Sequence, residues 1–181
     1  MNYSCKYITY MDNFTDHYII RPLLFSDYSN NYLSLLEKDF SIRPDTIFQS
    51  EFTNYVNNLH DYQQIFVIAT RLHTKYGITG DNVEHRTIDN TNIVENIIGS
   101  VTIFIETKII HNFGKVAHVE DVIVDNTYRG KGLGKMLVQK CIDYAQKHDC
   151  YKIILNCSDE NIPFYEKCGF SKKENEMVLY F

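Results

Sequence analysis

The chain has 181 residues, 44% of them hydrophobic and 14% aromatic, with a formal net charge of −5. This length suits one domain, 1–181, and the apolar share is enough for a core, which excludes global disorder. The acidic balance argues against general nucleic-acid binding, which needs a basic face.

The first 16 residues form a polar lead, expected to be loosely ordered, without the apolar h-region of a signal peptide. Residues 17–21 (H-Y-I-I-R) read as a short strand ended by Pro22. Ser26 is an N-cap candidate for a helix that carries Tyr32, Leu33, Leu35 and Leu36 on one face and runs to about Phe40. Pro44-Asp45 opens a second helix, with Ile47, Phe48, Phe52, Tyr55, Val56 and Leu59 on its apolar face. Residues 64–72 read as a central strand. The polar stretch 73–92 shows no period and is expected to be a long hairpin connection. Residues 93–110 return to strand alternation, and 111–117 hold a turn around Gly114. The strand 119–124 precedes a glycine loop and a helix to about His148; 150–156 is another strand. Asn161 as cap and Pro163 in the first turn open a short helix that Gly169 ends; 177–181 is expected to be a last strand. The expected architecture is α/β, a mixed sheet flanked by helices, with no repeat or linker. No apolar run approaches a membrane span, and five cysteines lack C-x-x-C pairing. A cytoplasmic protein with reduced thiols fits, Cys141, Cys157 and Cys168 being expected inside apolar patterns.

Residues 118–137 read H-V-E-D-V-I-V-D-N-T-Y-R-G-K-G-L-G-K-M-L. A strand, a glycine loop and a helix start make an anion site, because N–H groups at a helix N-terminus point outward with the positive end of the macrodipole. Arg129, Lys131 and Lys135 add positive charge there. Neither common phosphate loop fits. Gly134-Lys135 is followed by Met136 rather than Ser or Thr, and Arg129 stands where a P-loop has its first Gly. The dinucleotide pattern would need Gly at Lys135 or Leu137. The residues alone leave a small-anion cradle and an ordinary glycine-rich turn both open.

The remaining pattern, Arg129-x-x-Gly132-x-Gly134, together with Asn161…Phe164-Tyr165…Gly169-Phe170, resembles the GNAT superfamily of acetyl-CoA-dependent N-acetyltransferases. The resemblance implies the GNAT fold, a mostly antiparallel central sheet in which two strands splay apart to admit the pantetheine arm. It implies backbone contacts from Val122, Ile123 and Val124, and a pyrophosphate cradle of Arg129, Gly130, Lys131, Gly132, Leu133, Gly134 and Lys135. It further implies Asn161 at the pantetheine, with Phe164 and Lys167 lining the distal side, while Phe170 is read as core. Lys108-Ile-Ile-His111, Val119-Glu-Asp-Val122 and Cys150-Tyr-Lys-Ile-Ile154 are similar, within that superfamily, to the eukaryotic family that acetylates glucosamine 6-phosphate. This narrower resemblance is strong over about 103–177 and weak in the N-terminal half.

What the resemblance implies chemically is direct attack of an amine on the thioester of acetyl-CoA, without metal or covalent enzyme intermediate. Glu120 would hold the amine and take its proton, and backbone N–H groups of Val122 or Ile123 would meet the oxyanion. Tyr165, with an ordinary phenol pKa of about 10, would protonate the departing thiolate. Lys108 and His111 would bind the sugar phosphate, Asp121 a sugar hydroxyl, and Asn156 would border the amine. Asn156 stands where relatives commonly carry an acid, and the end of the chain lacks an arginine those relatives tend to have; Lys38 or Arg43 could compensate. The resemblance implies a homodimer supplying UDP-N-acetylglucosamine synthesis, with no nucleic-acid or membrane partner. Two further readings stand beside it: a GNAT enzyme for a polyamine or protein amine, and a non-catalytic acyl-CoA-binding domain.

Overall fold

The computed structural model describes residues 8–11, 17–73 and 93–181. Six strands form one sheet in chain order: β1 (Ile8–Met11), β2 (His17–Pro22), β3 (Gln63–His73), β4 (Ile93–Thr107), β5 (Lys115–Val124) and β6 (Cys150–Leu155). Every neighbouring pair is antiparallel except β5 and β6, which are parallel. A parallel pair needs a crossover, and α4 (Leu133–Lys147) supplies it. The mixed, mostly antiparallel sheet is the expected one. β1 lies in the lead expected to be loosely ordered; the rest of that lead (1–7 and 12–16) and most of the 73–92 connection (74–92) lie outside the described residues.

β3 explains the layering. Ile65, Phe66, Val67, Ile68 and Ala69 are all buried, so both faces of this strand are covered. On one face Phe66 and Ile68 join Leu133, Leu137, Cys141 and Ala145 of α4. On the other, Ile65, Val67 and Ala69 pack under α1 (Tyr32–Glu37) and α2 (Gln49–Asn57) through Leu33, Leu35 and Phe52. A buried ion pair pins the chain between β2 and α1. Asp27, fully buried, accepts two 2.7 Å bonds from Arg21, which also reaches Glu95 at 2.7 Å. Asp27 also accepts Leu24 N–H, so it, rather than Ser26, caps the 3₁₀ turn Phe25–Ser29 that leads to α1.

Two expectations about apolar segments fail. Phe48 and Tyr55 of the second helix are largely exposed: the segment splits into a 3₁₀ turn (Pro44–Thr46) and a separate α2 whose N-cap is Phe48, and Tyr55 stands at the wall of an open cavity. Residues 177–181 form no strand: Met177, Leu179, Tyr180 and Phe181 are exposed, with no described neighbouring strand to pair with. β-propensity needs a partner edge to become structure. No helix among the described residues is long and apolar enough to cross a membrane.

β5 positions the site. Its register with β4 shifts between Ser100↔Ile123 and Thr102↔Glu120, leaving two residues of β5 opposite Val101. This is a β-bulge. Its extra residue is Asp121, exposed and at φ 53°, a left-handed conformation that Asp tolerates better than most side chains. Ala117 and Val119 before the bulge, and Val122 and Val124 after it, lie on the α4 side; Ile123 lies on the other. Pairing of β5 with β6 stops at Val119↔Leu155. Beyond that point the two strands separate.

Candidate functional site

The gap between β5 and β6 is lined on one side by unpaired backbone. Asp125 N–H donates to Ile98 of β4 at 2.8 Å, so by strand alternation Ile123 also turns its groups to β4. Val122 and Val124 turn theirs to the gap. Arg129 Nε occupies the Val124 carbonyl at 2.9 Å, closing the lower end. Of the three expected backbone contacts, Val122 is therefore the one best presented to a ligand, while Ile123 is spent within the sheet.

The loop at the end of the gap has the geometry of an anion cradle. Gly132, the N-cap of α4, has φ 81°, a left-handed value that glycine adopts without strain. Buried Leu133 anchors the first turn, and the first intrahelical bond runs from Met136 N–H to Gly132 at 3.1 Å. The N–H groups of Leu133, Gly134 and Lys135 thus lack intrahelical partners and point out of the helix. A Cβ on Gly134 would meet the Phe164 ring at 3.3 Å, so glycine lets that ring cover the helix start. Lys131 lies over the Tyr128 ring, its Nζ 5.1 Å from the centroid.

This loop is tied to α1's end by two long-range ion pairs that sequence reading missed. Lys38 pairs with Asp125, and Asp39 with Arg129. The Lys38 contact, with Thr127, holds the Asp125 carboxyl down at about 2. Lys38, one of the two cations expected to make up for the absent arginine, is engaged in this strut.

On the opposite wall, α5 (Ile162–Glu166) carries Phe164 and Tyr165. Asn161 precedes it but its side chain bonds Ser158 Oγ at 3.2 Å and makes no cap. Gly169, at φ 95°, ends the segment in the expected left-handed conformation, with Phe170 N–H bonded to Tyr165 at 3.1 Å. The Tyr165 ring stands edge-on to Phe164 and Phe170, at 4.9 and 6.0 Å between centroids. Burial pushes its phenol up to about 12, and neighbouring Cys157, Cys168, Cys141 and Glu120 act in the same direction. Burial likewise raises Cys168, so that thiol stays protonated and a poor nucleophile. Cys157 is exposed, contrary to expectation, because β6 ends before it. Lys167 is exposed at the end of α5.

Glu120 sits just before the bulge, on the α1 and α2 side, opposite Thr102. Burial raises its carboxyl, helped by Asp121 and Glu176 and opposed by His118. Asp121 accepts a weak 3.4 Å bond from Thr102 and borders a cavity of about 450 Å³ beneath α1 and α2. Glu51, Tyr55, Phe40 and Phe104 also line it. Glu51 and Tyr55 were not anticipated as site residues, since nothing in a helix pattern marks a side chain that faces a cavity formed by distant strands. Lys108 and His111 lie at the other end of the β4–β5 hairpin. Lys108 Nζ is 2.6 Å from Glu106, and His111 packs on Tyr151 with ring centroids 4.6 Å apart. His111 is the second residue of α3 (Ile110–Phe113), a single turn whose His111 and Asn112 have left-handed φ. Asn156 follows β6, exposed at the mouth of the gap.

A splayed pair of strands, a backbone anion cradle and a partly buried phenol on the opposite wall together match an acyl-thioester site. The comparisons agree. The acetyltransferase (GNAT) family model matches residues 45–170. Glucosamine 6-phosphate N-acetyltransferase of Candida albicans is 35% identical over 164 residues, 91% of this chain and 96% of that protein. The enzyme of that name from Arabidopsis thaliana is 48% identical over 85 residues, 47% of this chain and 57% of the relative. The crystal structure of glucosamine-6-phosphate N-acetyltransferase from Arabidopsis thaliana superimposes with a TM-score of 0.73 at 33% identity, covering 91% of this chain and 98% of that one. By its strand-loop-helix site and by relatives that span most of its length, the chain belongs to the acetyltransferase (GNAT) family.

Proposed function

We propose that this enzyme transfers the acetyl group of acetyl-CoA to the 2-amine of D-glucosamine 6-phosphate, giving N-acetyl-D-glucosamine 6-phosphate and CoA by direct attack in a ternary complex. The observation that carries this reading is the bulge at Asp121. It sets Glu120 on the acceptor side and Val122 N–H at the gap within one turn of chain. The relatives' names supply the acceptor.

The steps follow from these positions. The pantetheine of acetyl-CoA fills the gap beyond Val119 and Leu155, and its pyrophosphate takes the N–H groups of Leu133, Gly134 and Lys135. The amine nitrogen attacks the thioester carbon; the new N–C bond leaves a negative oxygen that Val122 N–H stabilises. Glu120, its carboxyl raised, takes the proton from nitrogen. The C–S bond breaks and the thiolate meets the Tyr165 hydroxyl. Lys108 and His111 receive the phosphate. Lys108 leaves Glu106 at little cost, since the pair is exposed and solvent screens it. The active form is a homodimer in the cytoplasm; its pairing is supported by the outer edge of β6, which no described strand covers, and by the exposed apolar residues 177–181. Its product feeds UDP-N-acetylglucosamine synthesis.

One observation favours a second reading. Glu51 and Asp121 line the cavity, and none of its lining residues is a lysine or arginine. An acceptor amine without a phosphate would suit those walls. Thiol release from acetyl-CoA, measured with glucosamine 6-phosphate beside glucosamine, spermidine and a lysine peptide, decides between them. Turnover with the phosphorylated sugar alone supports the first. Turnover with another amine keeps the acetyl-CoA site and removes the phosphate assignment.

A further inference from the structure

The acceptor reaction releases a proton, and Glu120, set against β4 and facing Asp121, is not an end point for it. The same face of β5 continues to His118, two residues earlier and about 7 Å away along the strand. His118 lies opposite Phe104 and is partly exposed. Its Nε2 is 3.2 Å from Glu106 Oε2. Glu106 also holds Lys108 at 2.6 Å, and both drive its carboxyl below the ordinary range. A neutral ring that donates Nε2–H to Glu106 keeps Nδ1 as an acceptor. The row Glu120, His118, Glu106 therefore runs from the reacting amine to the exposed end of the hairpin. The other charged groups beside this row are Asp121 on β5, Lys152 on β6 (paired next to Val116) and Glu176 near the chain's end.

We infer that His118 is a proton-relay residue acting through Glu120: by way of one bridging water it accepts at Nδ1 the proton that Glu120 removes from the acceptor amine, while Glu106 holds the resulting imidazolium. Glu120 returns to the carboxylate with each turnover, and His118 delivers the proton to solvent. No electrons move and no bond to the ring forms beyond N–H. This inference rests on the acetyl-transfer reading above.

The test is chemical rescue. Full-length His118→Ala is assayed by thiol release with the acceptor on which the wild type turns over, with and without added imidazoles of graded basicity. The expected result is a fall in kcat of roughly a hundredfold, an unchanged KM for acetyl-CoA, and recovery of at least about tenfold that grows with the basicity of the imidazole. A structural role would not produce that dependence. His118→Gln, whose amide N–H can keep the Glu106 contact, provides a second variant should the alanine form fail to fold; it is expected to fold and to be equally slow. Activity within about threefold of wild type in either folded variant, or a loss that no imidazole restores, overturns the relay. If the wild type turns over a different amine, the acceptor assignment fails while the relay is tested on that amine. If it turns over none, both fall.

Discussion

Replacing Tyr165 by Phe tests how the thiolate leaves. The ring packing on Phe164 and Phe170 is retained in Phe, so the fold should be untouched. Burial has pushed the phenol up to about 12, whereas a thiol ionises near about 8.5. Complete proton transfer from this phenol to a free thiolate is then uphill. The expected role is a strong hydrogen bond to the thiolate as the C–S bond breaks, with proton transfer completed after departure. A hydrogen bond to a charged group contributes about 1.5–3 kcal/mol, which is roughly 10- to 150-fold in rate. Tyr165→Phe should therefore lower kcat by that factor and leave the KM for acetyl-CoA nearly unchanged in a thiol-release assay. Because the phenol is raised, it stays protonated through the neutral and mildly basic range, so no basic limb below about pH 11 should vanish in the variant. A fall beyond about 10⁴-fold together with loss of a basic limb near pH 9 would show full acid catalysis and refute the reasoning; so would a change of less than threefold.

Three further outcomes follow from the geometry. Gly132→Ala meets no atom within 4 Å but must hold φ 81°; it should cost about 1 kcal/mol in a denaturant titration and weaken CoA binding about tenfold by tilting the loop N–H groups. Unchanged CoA affinity by calorimetry would remove the cradle from the site. Asp27→Ala leaves Arg21 with Glu95 and the Pro22 carbonyl and should destabilise by about 3 kcal/mol, a drop in Tm of several degrees, with KM unchanged in whatever remains folded. Asp125→Asn should cost about 1–2 kcal/mol near neutrality, the lower part of the range because Lys38 is partly exposed. The Asp125 carboxyl is depressed in the fold, so its contribution is full above the unfolded value of about 3.9 and fades as pH falls toward about 2. Urea midpoints of variant and wild type should therefore converge in acid, and a gap that persisted at pH 2 would contradict the Lys38 strut.

The donor half of the site was legible because one contiguous stretch builds it, largely from backbone. Glycine at 132 and 134 announces a turn and a close approach, and the apolar spacing of Leu133, Leu137 and Cys141 announces the helix. What ties that loop to the end of α1 was not legible, because it is made of side chains brought together from far apart. Lys38 and Asp125 are 87 positions apart, and Asp39 and Arg129 are 90. No local period carries such a pairing. Tyr55 was read as core because apolar spacing cannot tell a packed face from a cavity wall. The stretch 177–181 was read as a strand because propensity is local while a ladder partner is not. The Glu120-Asp121 pair shows as an interruption of an apolar run, but whether such a pair bulges depends on the register of β4.

That bulge separates stability from function, and deleting Asp121 measures the separation. Without it, Val119, Glu120, Val122, Ile123 and Val124 alternate regularly between the α4 side and the α1 side. The register with β4 would also close, Val101 facing Val122 between the existing Thr102↔Glu120 and Ser100↔Ile123 pairs. The apolar pattern is thus already written for a continuous strand, and the left-handed residue, which costs of the order of 1 kcal/mol, disappears. The deletion should fold with a Tm equal to or above that of the parent. It should also let β5 run on beside β6 beyond Leu155, filling the gap with strand and removing the acceptor-side carboxylate. CoA binding by calorimetry should be lost while the far-ultraviolet spectrum keeps its sheet content. A deletion protein that binds CoA as well as the parent would mean that the gap is opened by something other than the bulge, with the strut from Lys38 to Asp125 the next place to look. A deletion protein that fails to fold would mean that the register of β4 and β5 depends on the extra residue. Both outcomes would contradict the reading that a single inserted residue, in an otherwise regular strand, opens the site.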